Sequence, residues 1–378
     1  MPALWRFVLS SNPAKSPKTR PVLEPRAAVE RMSPYHPPSG GRRNKLRLDF
    51  NENTVAGSPL VIDFIKRFLT ASDLTIYPEY ENALEDLATH FGVTNEQLTL
   101  TNGTDEAIQL FVNTFVDAGQ KVLVLRPAYA MYKFYAQLAG ADIEAVDYRS
   151  TTLAFPLEEL LDRITSETRA VLIGNPNNPT GTGTNIAGLE KILDRASNAA
   201  VFIDEAYYEF SGITVLPLIN PWPNLFVSRT FSKVYGMAAM RCGCLFSQEG
   251  NMSYLRKAQS PYSVNMIAAM SARIAVQDRK FIEEYVTEIL AAREYLYVGL
   301  ERLGIRYHMS QANFVLFEAG ERAVEIRDKL RSRGVLVRDR SYELPGCVRV
   351  TVGTHEQVDR FLKELEEIWS AGSQNNRV

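Results

Sequence analysis

Histidine and cysteine are scarce in this chain, with four of the first and three of the second among 378 residues. The cysteines, Cys242, Cys244 and Cys347, are too few and too scattered for a disulfide framework, and they suit a reducing cytoplasm. No second cysteine pair stands behind the CxC of Cys242 and Cys244, and His36, His90, His308 and His355 are spread along the chain, so no metal site is legible. Charge of one sign is lacking as well. A formal net charge of -2 and a pI near 6.2 give no electrostatic reason to expect nucleic acid or an anionic membrane as a partner. No apolar run approaches the ~20 residues that a membrane span needs. The opening MPALWRFVLSS has too short an apolar core, and no small-residue cleavage site, for a signal peptide. The GxGxxG of a dinucleotide fold and the lysine of a Walker loop are both missing.

What is there is ordinary for a globular enzyme: 46% apolar and 23% charged residues, in a chain long enough for a large domain with a smaller companion. Residues 1–30, rich in Pro, Arg, Lys and Ser, read as a flexible arm. From Leu98 onward, short apolar runs alternate with helical patterns: LTLTNG, KVLVLRPAY, IEAVDYR, RAVLIGNP, AAVFIDEAY and LFVSRTFSK. Continuous apolar runs between helices predict strands buried on both faces, hence a mostly parallel α/β sheet in a large domain over residues 70–270. After that, long helical stretches are followed by ANFVLFE, a helix from Arg322 to Arg333, VLVRD, CVRVTVG and a last helix. This α+β texture, joined by residues 31–69, predicts a small domain over 31–69 plus 271–378. No internal repeat interrupts the body of the chain.

Polar motifs follow the carboxyl ends of nearly every apolar run, where the ligand crevice of an open α/β sheet lies. Gly103-Thr104-Asp105, at a strand end opening a helix, aims backbone N–H groups and the helix dipole at one spot, as a phosphate nest or as a simple glycine turn with an N-cap. Tyr129 in RPAYAMY offers an aromatic face to a flat ring or to the core. NPNNPTG holds the amide of Asn178 between two prolines at the crevice. Asp204, ending the run FID, is a carboxylate whose burial is costly unless a cation or strong donor meets it; a protonated pyridine nitrogen would be such a partner. Tyr207 follows three residues later and could donate to a ring oxygen. In SRTFSKVYGMAAMRCG, Lys233 stands among Thr230, Ser232 and Arg241, a lysine amine beside the donors that a cofactor phosphate requires. Arg349, within an apolar strand, fits a bidentate anion, and Arg338 is a second cation close by.

With SPY at Ser33, NEN at Asn51, YPE at Tyr77, NGTDE, NPNNPTG, DEAY, RTFSKVYGMAAMRCG and RVTVGT in order, the chain resembles the fold type I, class I/II aminotransferases that use pyridoxal 5'-phosphate. Within them it is most similar to the histidinol-phosphate aminotransferase family, from about Met32 to Trp369. The resemblance implies a mostly parallel seven-stranded sheet in the large domain and a smaller α+β domain. It implies that Lys233 forms the Schiff base with the cofactor and moves the substrate proton, that Asp204 pairs the pyridinium nitrogen, that Asn178 and Tyr207 bond the ring oxygen, and that Tyr129 stacks on the ring. Gly103, Thr104, Asp105, Thr230, Ser232 and Arg241 would surround the cofactor phosphate. Tyr77 would reach the phosphate in a neighbouring subunit of a homodimer. Tyr35, Asn53, Asn178, Arg338 and Arg349 would face the substrates, an amino donor and a 2-oxo acid.

One departure concerns the segment after NEN, where the family usually continues with proline, tyrosine and glycine and this chain reads Thr54-Val55-Ala56-Gly57. Relatives with nearly the same cofactor motifs act on aromatic amino acids or decarboxylate a phosphorylated threonine. A ligand sensor that keeps the fold would be expected to lose the lysine or to carry a DNA-binding appendage. A dehydrogenase is disfavoured by the missing GxGxxG.

Overall fold

The apolar runs become the strands of a seven-stranded sheet in the computed structural model, which describes residues 23–34, 40–149 and 151–375. A first short strand, β1, spans Leu46–Arg47. The large sheet follows with β2 (Leu98–Thr101), β3 (Lys121–Arg126), β4 (Asp142–Asp147), β5 (Thr168–Gly174), β6 (Ala200–Asp204), β7 (Leu225–Thr230) and β8 (Gly243–Phe246). The C-terminal part adds β9 (Tyr307–His308), β10 (Phe314–Glu318), β11 (Val335–Leu336), β12 (Arg338–Asp339) and β13 (Cys347–Thr351).

The order in the large sheet is β2-β8-β7-β6-β5-β3-β4. Every pair from β7 to β4 is parallel, while β8 runs antiparallel to both β2 and β7. Two antiparallel steps restore direction, so β2 ends at the same edge as β3, β5, β6 and β7. Five strand ends therefore open on one crevice. Period-2 alternation divides the core: Val122, Val124, Leu172, Phe202 and Phe226 pack on one face with the helix Gly103–Phe115, and Leu123, Leu125, Val171, Ile173, Ile203 and Val227 pack on the other. Each such side chain contributes about 1.5–3 kcal/mol on burial, which holds the strand ends that carry the polar motifs in fixed positions.

Among the described residues, the remaining strands form a four-stranded antiparallel sheet, β12-β13-β10-β9, and a parallel pair, β1-β11. The VLVRD run is thus shared between two sheets. The chain from Leu46 to Asn51 is stitched to this part by Leu48 N–H donating to Leu336 O (2.9 Å), Thr351 N–H to Leu48 O (2.9 Å) and Asn51 N–H to Thr351 Oγ1 (3.0 Å). That places Phe50, Asn51 and Glu52 over the crevice. Asn51 adopts a left-handed backbone (φ 56°), which asparagine tolerates better than most residues. At the N-terminal end, Ala27–Glu30 is a helical turn, with Arg26 Nη2 donating to Leu138 O at 2.7 Å on the helix Ala130–Ala139. A flexible arm is the expectation over 1–30; residues 24–30 are instead anchored to the body here, and residues 1–22 lie outside the described residues.

Candidate active site

A cleft at the shared strand ends has two adjoining lobes, one of about 280 Å³ and one of about 400 Å³, with Phe50, Asp105, Tyr129, Asn178, Lys233 and Arg241 between them. The first lobe reaches down to Asp204, Thr230 and Ser232; the second reaches out to Arg338 and Arg349.

Asp204 and Glu205 are adjacent acids at the end of β6, and strand alternation sends them to opposite sides. Glu205 accepts from Arg229 Nε at 2.7 Å and from Val215 N–H at 2.7 Å, a buried ion pair behind the site. Asp204 faces the lobe, where it accepts from Tyr132 OH (2.8 Å) and Ser228 Oγ (3.0 Å). Among the described residues no cation pairs with it, and burial pushes its carboxyl up to about 6 against the hydrogen bonds from Tyr132 and Ser228. The carboxylate is held in place yet lacks a counter-charge.

Lys233 follows β7 on a loop and donates to Phe50 O at 3.1 Å. Desolvation, with the nearby Arg349 charge as the next cause, pushes its amine down to about 8. A fraction of the amine is therefore neutral near physiological pH, the form that serves as nucleophile and base. Tyr207 OH accepts from Asn51 Nδ2 (2.9 Å) and Asn178 Nδ2 (3.3 Å), so a phenol and two amides converge at the lobe.

At the mouth of the helix Gly103–Phe115, Arg241 Nη2 donates to Asp105 Oδ2 at 3.1 Å, and Tyr129 OH donates to Asp105 Oδ1 at 2.7 Å. Gly103 has φ +74°, and an ideal Cβ there would lie 2.5 Å from Arg241 Nη2, so only glycine lets the guanidinium lie against the helix start. Thr104 Oγ1 is buried with no hydrogen-bond partner among the described residues. Thr230 Oγ1 accepts from Ser232 N–H at 3.1 Å, which fixes the turn that presents Ser232 to the lobe.

On the substrate side, Arg349 is buried and donates through Nη2 to Asp49 O (2.7 Å) and through Nη1 to Asn178 Oδ1. Burial, reinforced by Arg340 and Arg338, pushes its guanidinium down to about 10. Arg338 sits directly opposite Arg349 in the β12–β13 register.

Most of the residues expected from the sequence meet in this cleft; two do not. Asn53 is buried, but its Nδ2 donates to Val234 O (3.1 Å) and its Oδ1 accepts from Val55 and Ala56 N–H (2.9 and 3.2 Å). It lines neither lobe, so the expectation that it faces substrate gives way to a turn that ties the segment after NEN to the lysine loop. Tyr77 is 73% exposed, stacked on Tyr262 with ring centroids 4.5 Å apart, and likewise outside both lobes of its own chain. Tyr35 lies outside the described residues.

Sequence reasoning missed Phe50, Asn51, Glu52, Tyr132, Ser228 and Arg340, all of which line the cleft or bond its central groups. Signals existed for three of them. Tyr132 lies one helical turn after Tyr129, and Ser228 and Arg340 each lie two strand residues from a named side chain.

Comparison with known proteins adds the following. The family described as aminotransferase class I and II matches residues 43–365. A histidinol-phosphate aminotransferase of Symbiobacterium thermophilum is 34% identical over 361 residues, covering 92% of this chain and 99% of the relative. One from a Geobacillus species is 34% identical, covering 92% and 95%. Among solved structures, a histidinol-phosphate aminotransferase of Sinorhizobium meliloti in complex with pyridoxal 5'-phosphate superposes with a TM-score of 0.80, at 24% identity over 92% of this chain and 97% of that one. An aspartate aminotransferase variant of Thermus thermophilus gives 0.78 at 21% identity, over 90% and 98%.

Proposed function

We propose, because the chain belongs to the class I and II aminotransferases and therefore works with pyridoxal 5'-phosphate, that it exchanges an amino group between histidinol phosphate and 2-oxoglutarate in histidine biosynthesis. The names of the similar curated relatives support that substrate. The observation that carries it is the pairing of Arg338 with Arg349 across two strands at the outer lobe, since like charges directly opposite each other repel unless an anion lies between them.

The residues present fit the cofactor. An uncompensated carboxylate, Asp204, awaits a protonated ring nitrogen; Tyr207 OH and Asn178 Nδ2 converge where a ring oxygen would accept; and the unpartnered Thr104 Oγ1, Ser232 and Arg241 surround the start of a helix, as a phosphate requires. Gly103 and Asp105 shape that cradle by admitting and orienting Arg241, and Thr230 braces Ser232. Tyr129 closes one side of the ring site.

When bound, pyridoxal 5'-phosphate supplies an electron sink for the substrate Cα and a carrier for its amino group. Lys233 would hold it through Nζ and would accept there the proton that leaves Cα, a task suited to an amine with a pKa of about 8. Asp204 would hold a positive charge at the ring nitrogen. Arg349, steadied by Asp49 O and Asn178, orients the substrate, and Arg338 meets its distal phosphate or the second carboxylate of 2-oxoglutarate. Phe50 and Tyr129 stand between the lobes and give the cleft apolar walls beside Lys233.

The same reading makes the enzyme a homodimer with a shared active site, in which Tyr77 serves the neighbouring subunit. The exposure of Tyr77, Leu74, Ile76 and Tyr262 on one segment and its stacking partner supports this. A cytoplasmic setting is supported by three buried cysteines without disulfides. No helix among the described residues is long and apolar enough to cross a membrane.

Assaying the purified enzyme with histidinol phosphate, phenylalanine and threonine phosphate tests the substrate. Preferred turnover of the first is expected, and none with it would overturn the reading.

A further inference from the structure

Arg338 and Arg340 are separated by one residue at the end of β12. Strand alternation puts them on the same side, and the ladder continues through Arg340, whose N–H donates to Cys347 O at 2.9 Å. Arg349 is the direct cross-strand neighbour of Arg338 and the diagonal neighbour of Arg340. All three line the outer lobe. Three guanidiniums on one face is an arrangement that a resting ion-pair network does not need.

The counter-charges around them are few. Asp339 points to the other face and pairs with Arg327 at 3.5 Å. Asp105 is engaged by Arg241 and Tyr129, and among the described residues Arg349 meets only a carbonyl and an amide oxygen. That leaves Glu343, on the turn after β12, whose Oε2 accepts from Arg340 Nη2. Arg340 is 8% exposed, and its Nε is buried with no hydrogen-bond partner among the described residues. A buried guanidinium with an unused donor, beside a cavity it lines, is a group with binding capacity in reserve.

Resting on the reading that the enzyme takes a phosphorylated amino donor, we infer that Arg340 is a third anion-binding arginine of the substrate lobe. It forms with Arg338 a subsite for a doubly charged group of the phosphate-monoester class, and Glu343 is the internal carboxylate that such a group displaces. Arg340 and Glu343 together set selectivity. The arginine adds a fork that a singly charged substrate cannot fully use, and the glutamate competes with weak anions while yielding to a dianion. Tyr342, with Arg340 lying 5.1 Å from its ring centroid, holds the guanidinium at the edge of the lobe.

The test uses the cofactor-loaded enzyme and inorganic phosphate as probe. Phosphate binding is measured by calorimetry and as inhibition of the half-reaction with glutamate, and the KM for the phosphorylated donor is measured separately. Arg340→Gln is expected to weaken phosphate about tenfold or more, the loss of one charge-assisted contact. It should raise the KM of the phosphorylated donor in proportion while kcat changes less, and Arg340→Lys should fall between. Glu343→Gln is expected to tighten phosphate binding. If Arg340→Gln binds phosphate as the wild type does, if the wild type binds none, or if Glu343→Gln weakens phosphate, the pair is a structural ion pair and the inference falls. Should Arg340→Gln fail to fold, the sign of the Glu343→Gln effect decides alone. Absence of turnover with histidinol phosphate would strike the proposed function, whereas the phosphate titration decides the subsite independently.

Discussion

The two lobes of the cleft are built on opposite plans. The inner lobe hangs from five strand ends of one large sheet, and its charged groups are held by fixed partners: Arg241 by Asp105, and Asp204 by two hydroxyl donors, which leave its charge open to a ring cation. The outer lobe is assembled from strands of two to five residues and a stitched segment, and among the described residues its guanidinium groups outnumber the carboxylate beside them, Glu343. A rigid wall with one carboxylate in reserve suits a group that stays; an excess of guanidinium suits groups that arrive charged and leave. The comparison can be broken at either end.

The largest effect is expected from the residue between the lobes. Lys233→Ala should lower transamination by at least about 10⁴-fold, the upper range for a positioned acid/base group. It should leave phosphate binding at the outer lobe within a fewfold of wild type. Loss of activity together with loss of phosphate binding would mean that the lobes are not separable.

Asp204→Asn comes next. Removing the charge that faces the cofactor nitrogen breaks a buried pair, a loss of about 3–5 kcal/mol, or roughly 10²- to 5 × 10³-fold in rate. The cofactor-free protein carries a second signature. A carboxyl raised from 3.8 to about 6 means that the folded chain binds its proton more tightly than the unfolded one. Stability is then undiminished below about pH 4 and falls as pH rises towards about 6, by on the order of 3 kcal/mol. Urea unfolding of the cofactor-free protein at pH 4.5 and 7 should show stability falling by about 2 kcal/mol more in the wild type than in Asp204→Asn, which keeps the parallel contribution of Glu209, whose carboxyl desolvation likewise raises, to about 7.

Much of the inner lobe was legible because its signals are short-range: a polar motif directly after each doubly buried run, read in order, gave Lys233, Asp204, Asn178 and Arg241. The parallel sheet was legible for the same reason. β8 was not among the runs singled out, since no α-helix separates Gly243–Phe246 from β7 and its residues continue directly from the lysine motif. The outer lobe was harder. VLVRD reads as one strand but serves two sheets, and Arg340 owes its place to the second of them. Asn51 and Asn53 look equivalent in NEN; only the left-handed turn at Asn51, with Thr351 and Tyr207 as partners, decides which one reaches the centre. Tyr132 depends on a strand and a helix far apart in sequence.

Gly103→Ala probes the phosphate cradle with a smaller change. The new Cβ would meet Arg241 Nη2 and adopt a backbone that L-residues disfavour, at a cost of about 1 kcal/mol or more. Titrating cofactor into the cofactor-free protein should show affinity weakened about tenfold, since each ~1.4 kcal/mol is a factor of ten. At saturating cofactor, the KM for the amino donor should hardly move. A raised KM with unchanged cofactor affinity would place the helix start in the outer lobe instead.

The smallest effect on activity is expected from Asn53, and it separates a wall from a contact. Its amide donates to Val234 O and accepts from two backbone N–H groups, so Asn53→Ala leaves buried groups unsatisfied, at a cost of about 1–3 kcal/mol of stability. Because Asn53 lines neither lobe, the KM values for both substrates should change by less than about threefold, below what the loss of a single neutral hydrogen bond to substrate would produce. Thermal unfolding and steady-state kinetics on the same sample separate the two roles. A tenfold rise in KM at unchanged stability would return Asn53 to the substrate surface and would mean that the segment from Thr54 to Gly57 moves when substrate binds.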